Sequence, residues 1–285
     1  MNNQTYIEKF NDLLILRDLT YNTVKSYNSM LHSYLSWVAS CRKLPEDISF
    51  EEIRSYLLFL KQGKNLSNRT INAHISQLRF FYLYVLRMPW SKYEVPSMKF
   101  NTKLPDILTV KEVNYFISTI HNLKHKACVA LLYSSGLRVS ELRHLRYEDI
   151  SRKNMRIYVR SSKSRSDRYA ILSKKALDIL TEYWLSFDKP KGWLFPGTKP
   201  NSPIVSFTVS RFISDHCRFL GWDKKVTAHM LRHSFGTHLY EQGYDLLTIQ
   251  KLLGHKSSSS SLVYVHLGAK TLKELRSPFD ADGVL

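Results

Sequence analysis

Thr227-Ala228-His229-Met230-Leu231-Arg232-His233 is the stretch on which the reading of this chain turns. His229 and Arg232 are three residues apart, so on a helix they project from one face. An imidazole beside a guanidinium is a natural grip for a phosphate. His229 and His233 have the i, i+4 spacing of a zinc pair. However, Met230 stands where an HExxH helix carries its glutamate, and no third ligand is evident, so no metal is expected.

Four more residues extend this pair into a set. Arg138 follows the turn Ser134-Ser135-Gly136-Leu137, and Lys163 sits in a basic hairpin. Asp245 caps a helix that runs from Leu246 to Leu253 and stops at Gly254, so His255 is delivered from a rigid helix end. Tyr264 follows nine residues later. A phosphate diester is anionic and has a poor leaving group. Attack without a metal needs fixed cations, a proton donor and a nucleophile, and Arg138, Lys163, His229, Arg232, His255 and Tyr264 supply all three.

The bulk properties agree. The net charge of +18 predicts a polyanionic partner, with nucleic acid first. Residues 1–100 carry +5 and residues 101–285 carry +13, so both parts are basic. A chain of 285 residues, 44% hydrophobic, is long enough for one large or two modest cores. Cys41, Cys128 and Cys217 form no CxxC pattern, which points to a reducing compartment, and the N-terminus has no signal pattern. The apolar run Ala127 to Tyr133 falls far short of the ~20 residues of a membrane helix. A cytoplasmic protein without a membrane segment is expected.

Residues 1–87 read as helices. Apolar positions Val24, Tyr27, Leu31, Tyr34, Leu35 and Val38 follow a Thr20 cap. Asp47 or Ser49 starts a helix through Ile53, Tyr56, Leu57 and Leu60, and Ser67 starts one through Ile71, Ile75, Leu78, Tyr82 and Val85. The other face of this last helix is assigned Arg69, His74 and Arg79, as phosphate contacts or as a solvated polar face. Residues 88–105 carry Pro89, Pro96 and Pro105, which break regular structure, and read as an interdomain linker whose lysines, Lys103 among them, can run along DNA.

Residues 106–285 form the second domain, opening on the capping box Thr109-Val110-Lys111-Glu112. Met155, Ile157 and Val159 alternate with Arg156, Tyr158 and Arg160 as a half-buried strand; Ser161 to Asp167 turns the chain, and Tyr169 to Leu172 returns. Arg156, Arg160, Arg165 and Arg168 make this hairpin a candidate DNA contact. Helices resume after Ser173.

The chain resembles the tyrosine recombinases, or phage-integrase family. The resemblance lies in Gly136-Leu137-Arg138-Val139-Ser140-Glu141-Leu142, the hairpin with Lys163, His229 to His233, Leu252-Leu253-Gly254-His255 and Tyr264-Val265-His266, in that order. The N-terminal part looks like the family's core-binding (SAM-like) domain. Serines 162 and 164 replace the glycines that commonly flank the hairpin lysine, leaving Arg165 and Arg168 as alternatives to Lys163, and Ala228 replaces a common proline.

The resemblance implies a mainly α fold with a small β-sheet or hairpin in the catalytic domain, arranged as a two-domain C-shaped clamp on double-stranded DNA. It implies a Tyr264 nucleophile forming a 3′-phosphotyrosyl link, with His229 as proton acceptor and Arg138 and Arg232 on the non-bridging oxygens. Lys163 protonates the leaving 5′-oxygen, His255 donates to the phosphate, Glu141 orients Arg138, and no cofactor is needed. A homo-tetramer on two DNA sites, or one shared with a related partner recombinase, is implied, with a helix at 270–276 reaching a neighbour. The serine-flanked lysine favours integration, excision or transposition of a mobile element over dimer resolution of the Xer type. A nicking-religating monomer and an inactive DNA-binding accessory protein are the rival readings.

Overall fold

The chain divides into two compact units, Met1–Thr102 and Lys103–Leu285. The computed structural model describes residues 3–101, 104–160, 167–187, 189, 191–254 and 263–264.

The first unit holds α1 (Asn3–Leu16), α2 (Tyr21–Ser40), α3 (Phe50–Leu58) and α4 (Asn68–Phe80), with π-helical turns at Phe59–Gly63 and Phe81–Leu86. Leu31, Tyr34, Leu35 and Val38 bury the face of α2 that their spacing predicts. Ser49 starts α3 with a complete capping box to Glu52, and Ser67 caps α4. The core is rich in aromatic rings, and its hydroxyls are satisfied: Tyr34 and Tyr82 share a 2.6 Å hydrogen bond, and Tyr82 donates to the Pro45 carbonyl.

Two expectations change here. His74 is not on the polar face of α4. It is three residues from Ile71 and four from Leu78, so it joins the apolar face, buried edge-on against Tyr56. Arg69 and Arg79 do lie exposed, Arg69 over the Phe100 ring at 5.1 Å. The stretch expected to be a linker from residue 88 is held against this unit over much of its length. Val95 is buried, the Asn72 amide pairs with both the Met98 N–H and carbonyl, and Asn68 donates to Lys99. Side-chain amides can satisfy an extended backbone as a neighbouring strand would. Lys103 lies outside the described residues.

The second unit is built around a helix that is apolar on all sides. After α5 (Val110–Ser118), capped by the Thr109–Glu112 box, α6 (Leu123–Ser134) buries every residue from Ala127 to Leu132. α7 (Val139–Arg143), α8 (Lys174–Ser186), α9 (Ser206–Phe219) and α10 (Ala228–Glu241) pack around it with α5. Between α7 and α8 lies an antiparallel sheet of β1 (Ile150–Ser151), β2 (Arg156–Val159) and β3 (Arg168–Ile171), in that order. Ile157, Val159 and Ala170 point inward, while Arg156 lies over the outward-facing Tyr169 ring at 4.1 Å. The two-residue β1 gave no periodic signal in the sequence. α11 (Leu246–Leu253) packs on α10 and β3, and Gly254 ends it at φ 62°. The result is mainly α with one small sheet, as the sequence predicts. Among the described residues, no helix is long and apolar enough to cross a membrane.

Asn72→Ala removes both bonds to Met98 at a cost of about 1–2 kcal/mol. The Met98 amide is then expected to exchange with solvent at least tenfold faster, while amides inside α2 keep their protection. Unchanged exchange at Met98 shows that Asn72 does not hold the segment.

Candidate active site

The site is organised by the Glu141 carboxylate. Arg138 is the last residue before α7. Its backbone N–H donates to Glu141 Oε2 and its Nη1 to Oε1, both at 2.8 Å. Arg168, at the root of β3, grips the same carboxylate with both Nη atoms, at 2.8 and 2.9 Å. Arg232, from the second turn of α10, brings Nη1 to 3.7 Å from Oε2. One buried carboxylate thus faces three guanidiniums. Burial alone would push the Glu141 carboxyl up. The hydrogen bonds and charge of Arg168, followed by those of Arg138, prevail and hold it below the usual carboxylate range.

Backbone carbonyls fix the forks. Arg232 donates to Gly136 and Leu253 at 2.5 Å each, Arg138 to Gly254 at 3.2 Å, and Arg168 Nε to Leu252 at 2.8 Å. A guanidinium has five donors, so donors remain on Arg138 and Arg232 for a phosphate. The Arg138 side chain is 34% exposed and that of Arg232 only 3%. One cation therefore stands at the mouth and the other beneath it. Burial and the charge of Arg138 lower Arg232 to about 10, which leaves it protonated at neutral pH. Gly136 makes the α6–α7 turn at φ 58°, and a Cβ there would meet Phe235 at 2.5 Å.

Helix α10 presents a row at i, i+3, i+4 and i+7: His229, Arg232, His233 and Gly236. His229 is exposed, and its ring stands 5.0 Å from that of His233. Loss of hydration and then the charges of Arg232 and Arg138 lower its pKa, so the ring is a neutral proton acceptor. His233 is pushed down to about 4, by burial first and then by His229 and Arg232.

Tyr264 packs on this row. It is fully buried with Phe235, Leu239, Ile249 and Leu253, its ring 6.0 Å from His233. Its ring tip lies over Gly236, where a Cβ would fall 2.5 Å from Cζ. Burial pushes the phenol up to about 12, against the opposing charges of Arg232 and Arg138.

Arg138, Glu141, His229, Arg232 and Tyr264 therefore belong to one neighbourhood. Lys163, Arg165 and His255 lie outside the described residues. Arg156 is exposed, and Arg160 is exposed but paired with Asp149 and Glu148. Arg168 is a correction. Expected as a DNA contact, it is 12% exposed, and its donors go to Glu141 and Leu252. The alternation of β3 could have shown this, because the residue two before the buried Ala170 lies on the inner face. Gly236 and His233 were missed as site residues, although the i+4 and i+7 positions from His229 point to them.

Gly236→Ala is expected to keep or slightly raise the stability of α10, since alanine is favoured by ~1 kcal/mol in a helix interior. Its Cβ displaces the Tyr264 ring. Nitration mapped by peptide mass spectrometry should then mark Tyr264 in the variant and spare it in the parent. Equal protection in both would show that the bare Cα is not what seats the ring.

Residues 106–271 match the model of the phage integrase family, and residues 6–92 match its N-terminal SAM-like domain. A tyrosine recombinase of Thermosipho africanus is 32% identical over 92% of this chain and 94% of its own. Two solved structures share the fold with a TM-score of 0.73 each. One is the XerH site-specific recombinase bound to a palindromic difH substrate, in a post-cleavage complex (22% identity, 90% of this chain and 80% of that one). The other is the Tn1549 transposon integrase in complex with a circular intermediate DNA (18% identity, 91% and 94%). Matched along nearly its whole length, with arginines gathered around one carboxylate and a histidine and a tyrosine beside them, this chain belongs to the phage integrase family and is a tyrosine-type site-specific DNA recombinase.

Proposed function

We propose that the chain cuts duplex DNA by attack of the Tyr264 hydroxyl on a phosphate held by Arg138 and Arg232. The observation that carries this reading is the pair of backbone-anchored guanidiniums, one of them on the helix whose Gly236 seats the Tyr264 ring. The bond from phosphorus to the phenolic oxygen forms as the bond to the 5′-oxygen breaks. The phenolic proton goes to His229, whose depressed pKa keeps it ready to accept. Arg138 and Arg232 stabilise the charge that develops on the non-bridging oxygens. Lys163 returns a proton to the 5′-oxygen, and His255 donates to the phosphate. The phosphotyrosine conserves the bond energy, so a different 5′-hydroxyl can reverse the step and exchange strands.

The partner is double-stranded DNA, contacted in the first unit by Arg69 and Arg79 and in the second by Arg156, Arg160 and Arg165. Lys103 adds a further contact. Four copies assemble on two sites, with or without a related recombinase. The biological role is integration, excision or transposition of a mobile element, and dimer resolution of the Xer type is the second reading. The equal fold likeness to the Tn1549 integrase and XerH supports both. Sequencing the DNA captured on Tyr264 separates them: element ends on one reading, a chromosomal or plasmid resolution site on the other.

A nicked suicide substrate is expected to trap a covalent adduct with the parent chain and none with Tyr264→Phe. An adduct that survives in that variant rules out this nucleophile.

The rate of adduct formation at subsaturating DNA gives a pH test, because it reports the groups of the free protein. A lowered histidine pKa keeps the ring neutral to lower pH. The acidic limb should therefore lie below the ordinary histidine value of ~6.5. A limb at or above that value removes His229 from the acceptor role.

A further inference from the structure

We propose that Arg168 is a positioning residue, which acts through Glu141 to leave the charge of Arg138 and Arg232 available to the phosphate; this rests on the strand-cleaving reading above. Arg168 is placed to do so by three anchors. Both its Nη atoms meet the two Glu141 oxygens, Nε holds the Leu252 carbonyl, and its stem lies against Gly254, where a Cβ would meet Cδ at 3.0 Å. No other side chain described at the site joins the sheet, α7 and the end of α11 in this way.

Charge explains what the contact is for. Three guanidiniums around one carboxylate leave a net +2, matched to the two negative charges of a pentavalent phosphorus. Without Arg168, Glu141 has only Arg138 and Arg232 as partners. The net charge falls to +1, and the 3.7 Å separation between Glu141 and Arg232 can close. The carboxylate then competes with the phosphate for the same donors. Arg168 also keeps the Leu252 carbonyl in place next to the Leu253 and Gly254 carbonyls that anchor Arg232 and Arg138. Its bidentate fork is what lysine cannot reproduce.

The test uses the full chain with Arg168→Gln, Arg168→Lys, Glu141→Gln and the Arg168→Gln/Glu141→Gln double variant. The first readout is the dependence of duplex affinity on salt, which does not require catalysis. A lost phosphate contact lowers the slope of log K against log salt by about 0.9. Arg168→Gln is expected to leave it unchanged. The second is the single-turnover rate of adduct formation at saturating DNA. A fall of about 10–100-fold is expected for Arg168→Gln, by analogy with removing the hydrogen-bond partner of a metal ligand, with a smaller fall for Arg168→Lys. The third is coupling. Because Arg168 acts through the carboxylate, the double variant should be no slower than Arg168→Gln alone.

A salt slope reduced by about 0.9 with an unchanged saturating rate would make Arg168 an ordinary DNA contact and overturn the proposal. Additive losses in the double variant would overturn it as well. Thermal unfolding of each variant separates a folding defect from these outcomes, and Arg168→Lys keeps the test open if Arg168→Gln does not fold. Absence of any adduct with the parent chain would instead defeat the strand-cleaving reading.

Discussion

A single buried carboxylate carries the arrangement of this site. Taking a carboxylate out of water is costly unless charge and hydrogen bonds replace hydration. Glu141 is compensated by Arg168 and Arg138 at hydrogen-bond distance and by Arg232 a little farther away. These residues come from α7, from the residue that precedes it, from β3 and from α10. The electrostatic need of one side chain therefore constrains three elements far apart in sequence.

The guanidiniums are fixed a second time by main-chain carbonyls, from the Gly136 turn and from the end of α11. The last carbonyls of a helix lack partners within it. Arginine supplies them here, with the helix dipole in its favour. Two roles meet in one contact: the helix end is capped, and the cation is held in a defined orientation before any phosphate arrives. Such preorganisation stabilises developing charge without reorientation during the reaction. The positive φ of Gly136 matters for the same reason, since it turns a carbonyl toward Arg232 while leaving room for Phe235 and Leu253.

Helix α10 orders the chemistry along one face. His229 at the open end is easily reached, Arg232 lies deep, and Gly236 leaves a gap that the Tyr264 ring fills. The hydroxyl is thereby brought under the influence of both arginines while hydrophobic side chains surround the ring. Burial and cationic charge act on the phenol in opposite directions, and burial prevails. Chemistry at this oxygen accordingly depends on an acceptor for its proton, not on spontaneous ionisation.

Much of this was legible in the residues themselves. Caps at Ser49, Ser67, Thr109 and Asp245, the stops at Gly136 and Gly254, and the alternation around Ile157 depend on local geometry, which a short window of sequence contains. The grip of His229 and Arg232 was legible for the same reason, since three residues on a helix fix a common face. Arg168 was not, because its charge reads identically whether it meets DNA or Glu141, and only the chain path brings α7 beneath β3. Gly236 was silent too, for a missing side chain acquires meaning only when a ring from elsewhere lies over it. His74 was misplaced because polarity outweighed its helical phase. Sequence by itself determined the elements and the reactive side chains. Tertiary structure decided which cations face inward, since burial and pairing depend on neighbours that local spacing cannot name.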